Sequence, residues 1–154
     1  MEIADLLSID GVVPNFKATG KKQALQELAG LAAKVTGQPD RAILDVLLER
    51  ERLGTTGIGN GIAIPHGKLA DLDRLHGLFV RLTHGVPFDA IDDEPVDLIF
   101  LLLAPEAAGA DHLKALARIS RLLRDRTICD KLRGSDDGDA IYALLTEPAA
   151  SHAA

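Results

Sequence analysis

The run Val96-Asp-Leu-Ile-Phe-Leu-Leu-Leu-Ala104 is apolar at every position except Asp97, and Pro105 closes it. A strand with one face in water alternates apolar and polar side chains, whereas a run without that alternation needs cover on both faces. It falls far short of the roughly 20 apolar residues that span a bilayer, and no other stretch comes near that length. The run therefore predicts a central strand, and with it a sheet that carries helices on its faces.

The flanking segments supply those helices. Ile3 to Leu7 reads as a short amphipathic helix before a turn at Ser8-Ile9-Asp10-Gly11. Val12, Val13 and Phe16 suggest a short strand, interrupted at Pro14 and so placed at an edge. Thr19 is expected to cap a helix to about Val35, with Ala24, Leu25, Leu28, Leu31, Ala32 and Val35 on one face and Gly37 ending it. Asp40 is expected to cap the next, whose apolar positions are Ala42, Ile43, Val46, Leu47 and Leu48 and which runs out near Arg52 and Gly54. Leu69 to Leu72 reads as a connection. Leu75 to Thr83 alternates through Leu78, Val80 and Leu82, as a strand with one buried face does. Asp89 to Glu94 is an acidic loop. Helices follow from Asp111, over Thr127 to Arg133 and over Asp136 to Thr146, with Arg118, Arg121, Arg124, Asp125 and Arg126 on a solvated face. The expected fold is α/β (layered α+β) in one domain over residues 1–147, with a flexible tail over 148–154 that includes His152.

From Leu53 to Lys68 the chain reads Leu-Gly-Thr-Thr-Gly-Ile-Gly-Asn-Gly-Ile-Ala-Ile-Pro-His-Gly-Lys. Glycines 54, 57, 59 and 61 forbid a helix and hold the backbone close to something. Pro65 fixes φ ahead of His66 and Gly67 lets the chain turn after it, so the imidazole is expected at the end of a rigid strand. Imidazole is nucleophilic near neutral pH, which suits a covalent or acid–base role, and a plain turn histidine fits the same residues. Arg50 and Arg52 end the preceding helix, where the dipole favours cations in any case. His112 falls in the first turn of a later helix, where free N–H groups accommodate anions and the neutral ring is favoured. A partly exposed first-turn histidine is the alternative there.

The Leu53–Lys68 segment resembles the phosphohistidine region of the fructose/mannitol-type enzyme IIA proteins of the bacterial phosphoenolpyruvate:sugar phosphotransferase system, and most of all their nitrogen-regulatory branch. The similarity continues through Asp92-Asp-Glu-Pro-Val-Asp-Leu-Ile-Phe-Leu-Leu-Leu-Ala-Pro105 and Asp111-His-Leu-Lys-Ala-Leu-Ala117, so it spans nearly the whole chain. The resemblance implies a mixed central sheet with helices on both sides. It implies that His66 accepts a phosphoryl group on Nε2, that His112 supports it and that Arg50 contacts the phosphate. Backbone amides at Gly57, Gly59, Asn60 and Gly61 are expected to help cradle it. The implied donor is an HPr-like phosphocarrier of the nitrogen branch, and the implied regulatory partners are potassium-transport components or sensor kinases. Two other readings stand beside this one: a sugar-transport enzyme IIA that hands phosphate to a IIB cysteine, and a binding module without phosphoryl chemistry.

Composition narrows the alternatives. The net charge is −6, no dense block of Lys or Arg occurs, and there are one Tyr and four Phe. A nucleic-acid binder needs a basic stripe and stacking aromatics, so no nucleic acid is expected. Met1-Glu2-Ile3-Ala4-Asp5 lacks an export signal and Cys129 is the single cysteine, so a reducing, cytoplasmic setting without membrane insertion is expected. Gly57-x-Gly59-x-Gly61 is not a dinucleotide fingerprint, which needs its third glycine at Ile62. Gly61 to Lys68 misses the phosphate-loop spacing, and Leu69 stands where Ser or Thr would bind magnesium. No ligand spacing supports a metal, no G-x-S-x-G is present, and no cofactor is expected. Cys129 reads as a small core residue.

Overall fold

The computed structural model describes residues 1–147. The tail expected over 148–154, with His152, lies outside the described residues. In chain order the elements are α1 (Ile3–Leu6), β1 (Leu7–Phe16), α2 (Lys21–Thr36), α3 (Asp40–Arg52), β2 (Gly57–Gly59) and β3 (Ile62–Ala63). There follow β4 (His66–Leu69), β5 (His76–Val86), β6 (Val96–Pro105), α4 (Ala110–Leu123), α5 (Arg126–Arg133) and α6 (Gly138–Thr146).

The strands form one mixed sheet in the order β1-β5-β6-β3-β2, and β4 pairs with β6 further along the edge that β3 occupies. β5 and β6 are antiparallel, while β3 and β4 both run parallel to β6. The apolar run is the central strand, with Leu98 to Ala104 fully buried. Ile99, Leu101 and Leu103 pack toward Leu25, Leu28, Ile43 and Leu47 of α2 and α3. Leu98, Phe100 and Leu102 pack toward Ile119, Leu123, Leu132 and Ile141 of α4, α5 and α6. A helical layer thus covers each face, as the unalternated sequence required, and each such leucine contributes roughly 1.5–3 kcal/mol by leaving water.

Local signals were overridden in several places. Ser8 to Gly11, expected to turn, belong to β1, which pairs in parallel with β5 through a register shift between Leu7 and Val12. A Cβ on Gly11 would lie 3.1 Å from the carbonyl oxygen of Gly77, so glycine here permits close strand approach within a bulge. β1 is nevertheless the edge strand that Pro14 predicted. β5 is buried on both faces from His76 to Val80, because it lies between β1 and β6 under both helical layers. Thr19 does not cap α2: its N–H and hydroxyl both donate to Gln23 Oε1, at 2.6 and 2.9 Å, and Gly20 holds the cap position. Asp40 is the first residue of α3 rather than its cap. Asp125, expected on a solvated face, is a true cap and accepts from the amides of Thr127 and Ile128. Gly37 ends α2 in the left-handed conformation at φ 76°, as expected.

Candidate active site

Pro65 interrupts what would otherwise be one long edge. β3 stops at Ala63 opposite Ile99, the Pro65 carbonyl accepts from the Leu102 amide at 3.0 Å, and β4 opens at His66 opposite Leu102. Proline has no N–H to give a neighbouring strand, so pairing breaks around it. The imidazole therefore sits at the start of a strand, not at the end of one.

The two ring nitrogens of His66 have different partners. Nδ1 lies 2.9 Å from the carbonyl oxygen of Ile64, and Nε2 lies 3.2 Å from Nε of Arg50. A carbonyl oxygen can only accept and a guanidinium can only donate. Nδ1 therefore carries the proton, and Nε2 presents its lone pair to Arg50. The ring is pinned in one tautomer from both sides. Arg50 also donates from Nη1 to the carbonyl of Gly54 at 2.8 Å, which fixes its guanidinium across the last turn of α3. Burial pushes the His66 pKa below 6.5; the carbonyl of Ile64 opposes this, Arg50 reinforces it, and Glu51 opposes it.

His112 is the third residue of α4 and only 8% exposed. Its ring meets that of His66 edge-on, with centroids 5.6 Å apart and planes at 67°. Burial, then the neighbouring His66 and Lys68, hold its pKa low as well. Its Nε2 is the one buried side-chain polar atom among the described residues that lacks a hydrogen-bond partner. Leaving such a group unpaired costs about 1–3 kcal/mol, so an orphan of this kind calls for a functional reason.

Gly67 sets the distance between α3 and the ring. It lies within β4 and does not turn the chain as expected. A Cβ there would stand 2.8 Å from Cγ2 and 3.2 Å from Cβ of Val46. Val46 and Arg50 share a face of α3, one turn apart, so the bare backbone at Gly67 lets the arginine reach His66. Gly67→Val should cost about 1–3 kcal/mol through overpacking, read as a lowered midpoint in thermal or urea unfolding. It should also separate Arg50 from His66, seen as a changed His66 ring resonance in NMR spectra.

Arg50, His66 and His112 thus converge from α3, β4 and α4 on one open cleft, whose lining also includes Leu53 and Lys68. Gly57, Gly59, Asn60 and Gly61 do not join them. Asn60 and Gly61, at φ 57° and 79°, form the two-residue turn of the β2–β3 hairpin. The Gly61 carbonyl accepts from Leu98, whereas His66 lies opposite Leu102, four residues or about 13 Å further along β6. Their groups are engaged elsewhere: the Asn60 amide donates to Asp92 at 2.9 Å and its carbonyl accepts from Arg133 at 2.6 Å. Arg133 in turn holds Asp97 at 2.9 Å. The glycines build a clamp at the far end of the strand, and the dipeptide Asn-Gly is the sequence signal that points to it.

Periodicity also passed over three participants. The Ile64 carbonyl, which fixes the tautomer, belongs to a residue that reads only as core. Glu51 is almost fully buried, with Lys21 at 2.9 Å, the Thr56 amide at 3.2 Å and the Thr56 hydroxyl, and so ties the end of α3 to the segment that follows. Lys68 lies on the cleft. Cys129 is buried away from it, donates to the Leu123 carbonyl at 3.2 Å and has its thiol pKa raised by burial. Among the described residues no group of three or more His, Cys, Asp or Glu side chains is arranged to hold a metal ion. No described helix is long and apolar enough to cross a membrane.

Known proteins resemble this chain along most of its length. The family described as "Phosphoenolpyruvate-dependent sugar phosphotransferase system, EIIA 2" matches residues 5–147. The nitrogen regulatory protein of Bradyrhizobium diazoefficiens is 58% identical over 153 residues, covering 99% of this chain and 100% of the relative. That of Escherichia coli K12 is 40% identical over 148 residues, covering 96% of this chain and 91% of the relative. The crystal structure of nitrogen regulatory protein IIA-Ntr from Neisseria meningitidis superposes with a TM-score of 0.89 at 33% identity, over 94% of this chain and 99% of that one.

Proposed function

The chain belongs to the EIIA 2 family of the phosphoenolpyruvate-dependent sugar phosphotransferase system, and on that premise we propose that it is a phosphohistidine carrier of the nitrogen-regulatory branch with His66 Nε2 as acceptor. One observation carries this reading. The ring is held with its proton on Nδ1 and its lone pair on Nε2, in a cleft shared with Arg50 and the unpartnered Nε2 of His112.

The reaction is a transfer between nitrogens. The Nε2 lone pair attacks the phosphorus of a donor phosphohistidine; the new N–P bond forms as the donor N–P bond breaks in line, and the departing donor nitrogen keeps the electron pair. No proton moves. Positive charge that develops on the His66 ring is stabilised by the Nδ1–H bond to Ile64. Arg50 gives up the lone pair as the donor enters and turns its N–H groups to the phosphoryl oxygens, and His112 Nε2–H donates to the same oxygens. Chemistry of this kind asks for positioning and charge neutralisation rather than acid–base work, and these side chains supply both.

The donor is an HPr-like phosphocarrier of the nitrogen branch, charged by an enzyme I homologue from phosphoenolpyruvate in the cytoplasm. The phosphoryl group adds about two negative charges at pH 7 to a cleft bordered by the exposed Leu53. Regulatory partners, among them potassium-transport components or sensor kinases, distinguish the two states by that charge.

The test is to incubate the protein with enzyme I homologue, HPr-like donor and phosphoenolpyruvate, then to map the modification by mass spectrometry under non-acidic conditions. One phosphate on His66 is expected; a chain that stays unmodified would favour a plain binding module. The pH dependence has a definite sign. Because burial lowers the His66 pKa from its ordinary value, the acceptor is predominantly neutral at neutral pH. The transfer rate should be flat across neutral pH and fall only on acidification past the ordinary imidazole range. Protonation also opposes folding, since the unfolded chain takes up the proton more readily. A rate that halved between pH 8 and 7 would contradict the assignment.

A further inference from the structure

Lys68 has no role in the transfer just described, yet it borders the same cleft. Along β4, residues 66 and 68 point to one side of the sheet and residue 67 to the other. Gly67 faces Val46 on α3, so His66 and Lys68 share the side that looks toward His112 on α4. Two residues along a strand separate their Cα atoms by roughly 6.6 Å. The flexible four-carbon stem of a lysine brings its ammonium within reach of a group attached to the neighbouring ring.

Its electrostatic surroundings single it out. The cleft is lined by two carboxylates, Asp45 and Glu49, and by two cations, Arg50 and Lys68. Asp45 is paired with Arg41 at 4.0 Å and Glu49 with Arg52 at 3.5 Å, each along α3 itself. Arg50 is committed to His66 and Gly54. The Lys68 ammonium is exposed and takes no hydrogen bond or ion pair among the described residues. It acts on the buried His112 ring as a nearby positive charge. An uncommitted cation beside two neutral imidazoles would attract a phosphoryl dianion attached to either.

We propose that Lys68 is a further phosphoryl-binding residue of the His66 site, its ammonium closing on the phosphohistidine oxygens from beside His112. The proposal rests on the reading of His66 as acceptor. It adds a consequence for regulation: Lys68 is an open surface cation in the unmodified protein and is neutralised in the phosphorylated one. Modification would then change the surface twice, by adding negative charge and by withdrawing a positive one.

The test uses phosphoramidate, a small donor with a P–N bond, so that docking of a protein donor plays no part. Phosphorylation of wild type, Lys68→Met and Lys68→Arg is followed by intact mass and by ³¹P NMR. Lys68→Met should be phosphorylated roughly three- to tenfold more slowly, a charge-assisted contact discounted for its exposure. The last proton of its phosphoryl group should titrate at higher pH, because a neighbouring cation favours the dianion. Lys68→Arg should restore both. Lys68→Met that matches wild type in rate and titration would overturn the proposal, and so would Lys68→Arg that behaves like Lys68→Met. A defect seen with the protein donor but not with phosphoramidate would make Lys68 a docking residue and overturn it too. If the wild-type chain gains no phosphate on His66, the acceptor reading itself has failed and the Lys68 proposal falls with it.

Discussion

Replacing His66 by alanine should abolish uptake of acid-labile phosphate while the domain stays folded. The complete loss follows from the scarcity of alternatives in the cleft. The other imidazole, His112, is 8% exposed and its unpartnered Nε2 is buried, which makes it a poor target for a donor's phosphorus. The half-buried position of His66 and its place at the start of a four-residue strand make the substitution tolerable for the fold. Intact mass in alkaline buffer reads the phosphate, and thermal unfolding reads the fold. A phosphate found on His112 in this variant would move the acceptor to that ring.

Arg50→Ala should retain the acceptor and slow transfer by about ten- to a hundredfold, the loss expected for one charge-assisted donor to a phosphoryl oxygen. Lysine should restore little of it, since the guanidinium serves Gly54 and the ring through two separate nitrogens. The variant has a second signature. Arg50 lowers the His66 pKa by its charge, so its removal should move the acidic limb of the rate profile to higher pH. Rapid mixing across a pH series separates the two effects. A profile that shifts while the plateau rate holds would show that Arg50 acts on the ring alone and not on the phosphoryl group.

The layered architecture was legible where one physical cause ruled. Val96 to Ala104 could only be a strand between two layers, and the helical faces of α2 and α3 follow from their spacing. Where strand pairing competed with turn-forming residues, the local signal lost. Ser8 to Gly11 look like a turn and are strand because β5 offers them a partner. β4 was invisible because its four residues, His-Gly-Lys-Leu, have neither length nor alternation and owe their conformation to β6.

The candidate site divides in the same way. Arg50, His66 and His112 come from three elements, and no periodicity shows that they meet; the resemblance to a known family brought them together. The glycine segment misled because glycine serves phosphate loops and tight hairpins alike. The partners of Asn60 and Gly61 are Asp92, Asp97 and Arg133, all distant in sequence. Ile64 could not be found at all, since its contribution is a carbonyl that every residue possesses.

That carbonyl has a consequence for how the protein can change over time. Nitrogen selectivity in the ring is written into the main chain two residues upstream, not into an exchangeable side group. Point mutation elsewhere can weaken the catalyst or blunt its response to acid, but it has no ready means of inverting which nitrogen is offered. Descendants that keep the Ile-Pro-His path inherit that preference, whatever happens to their surfaces.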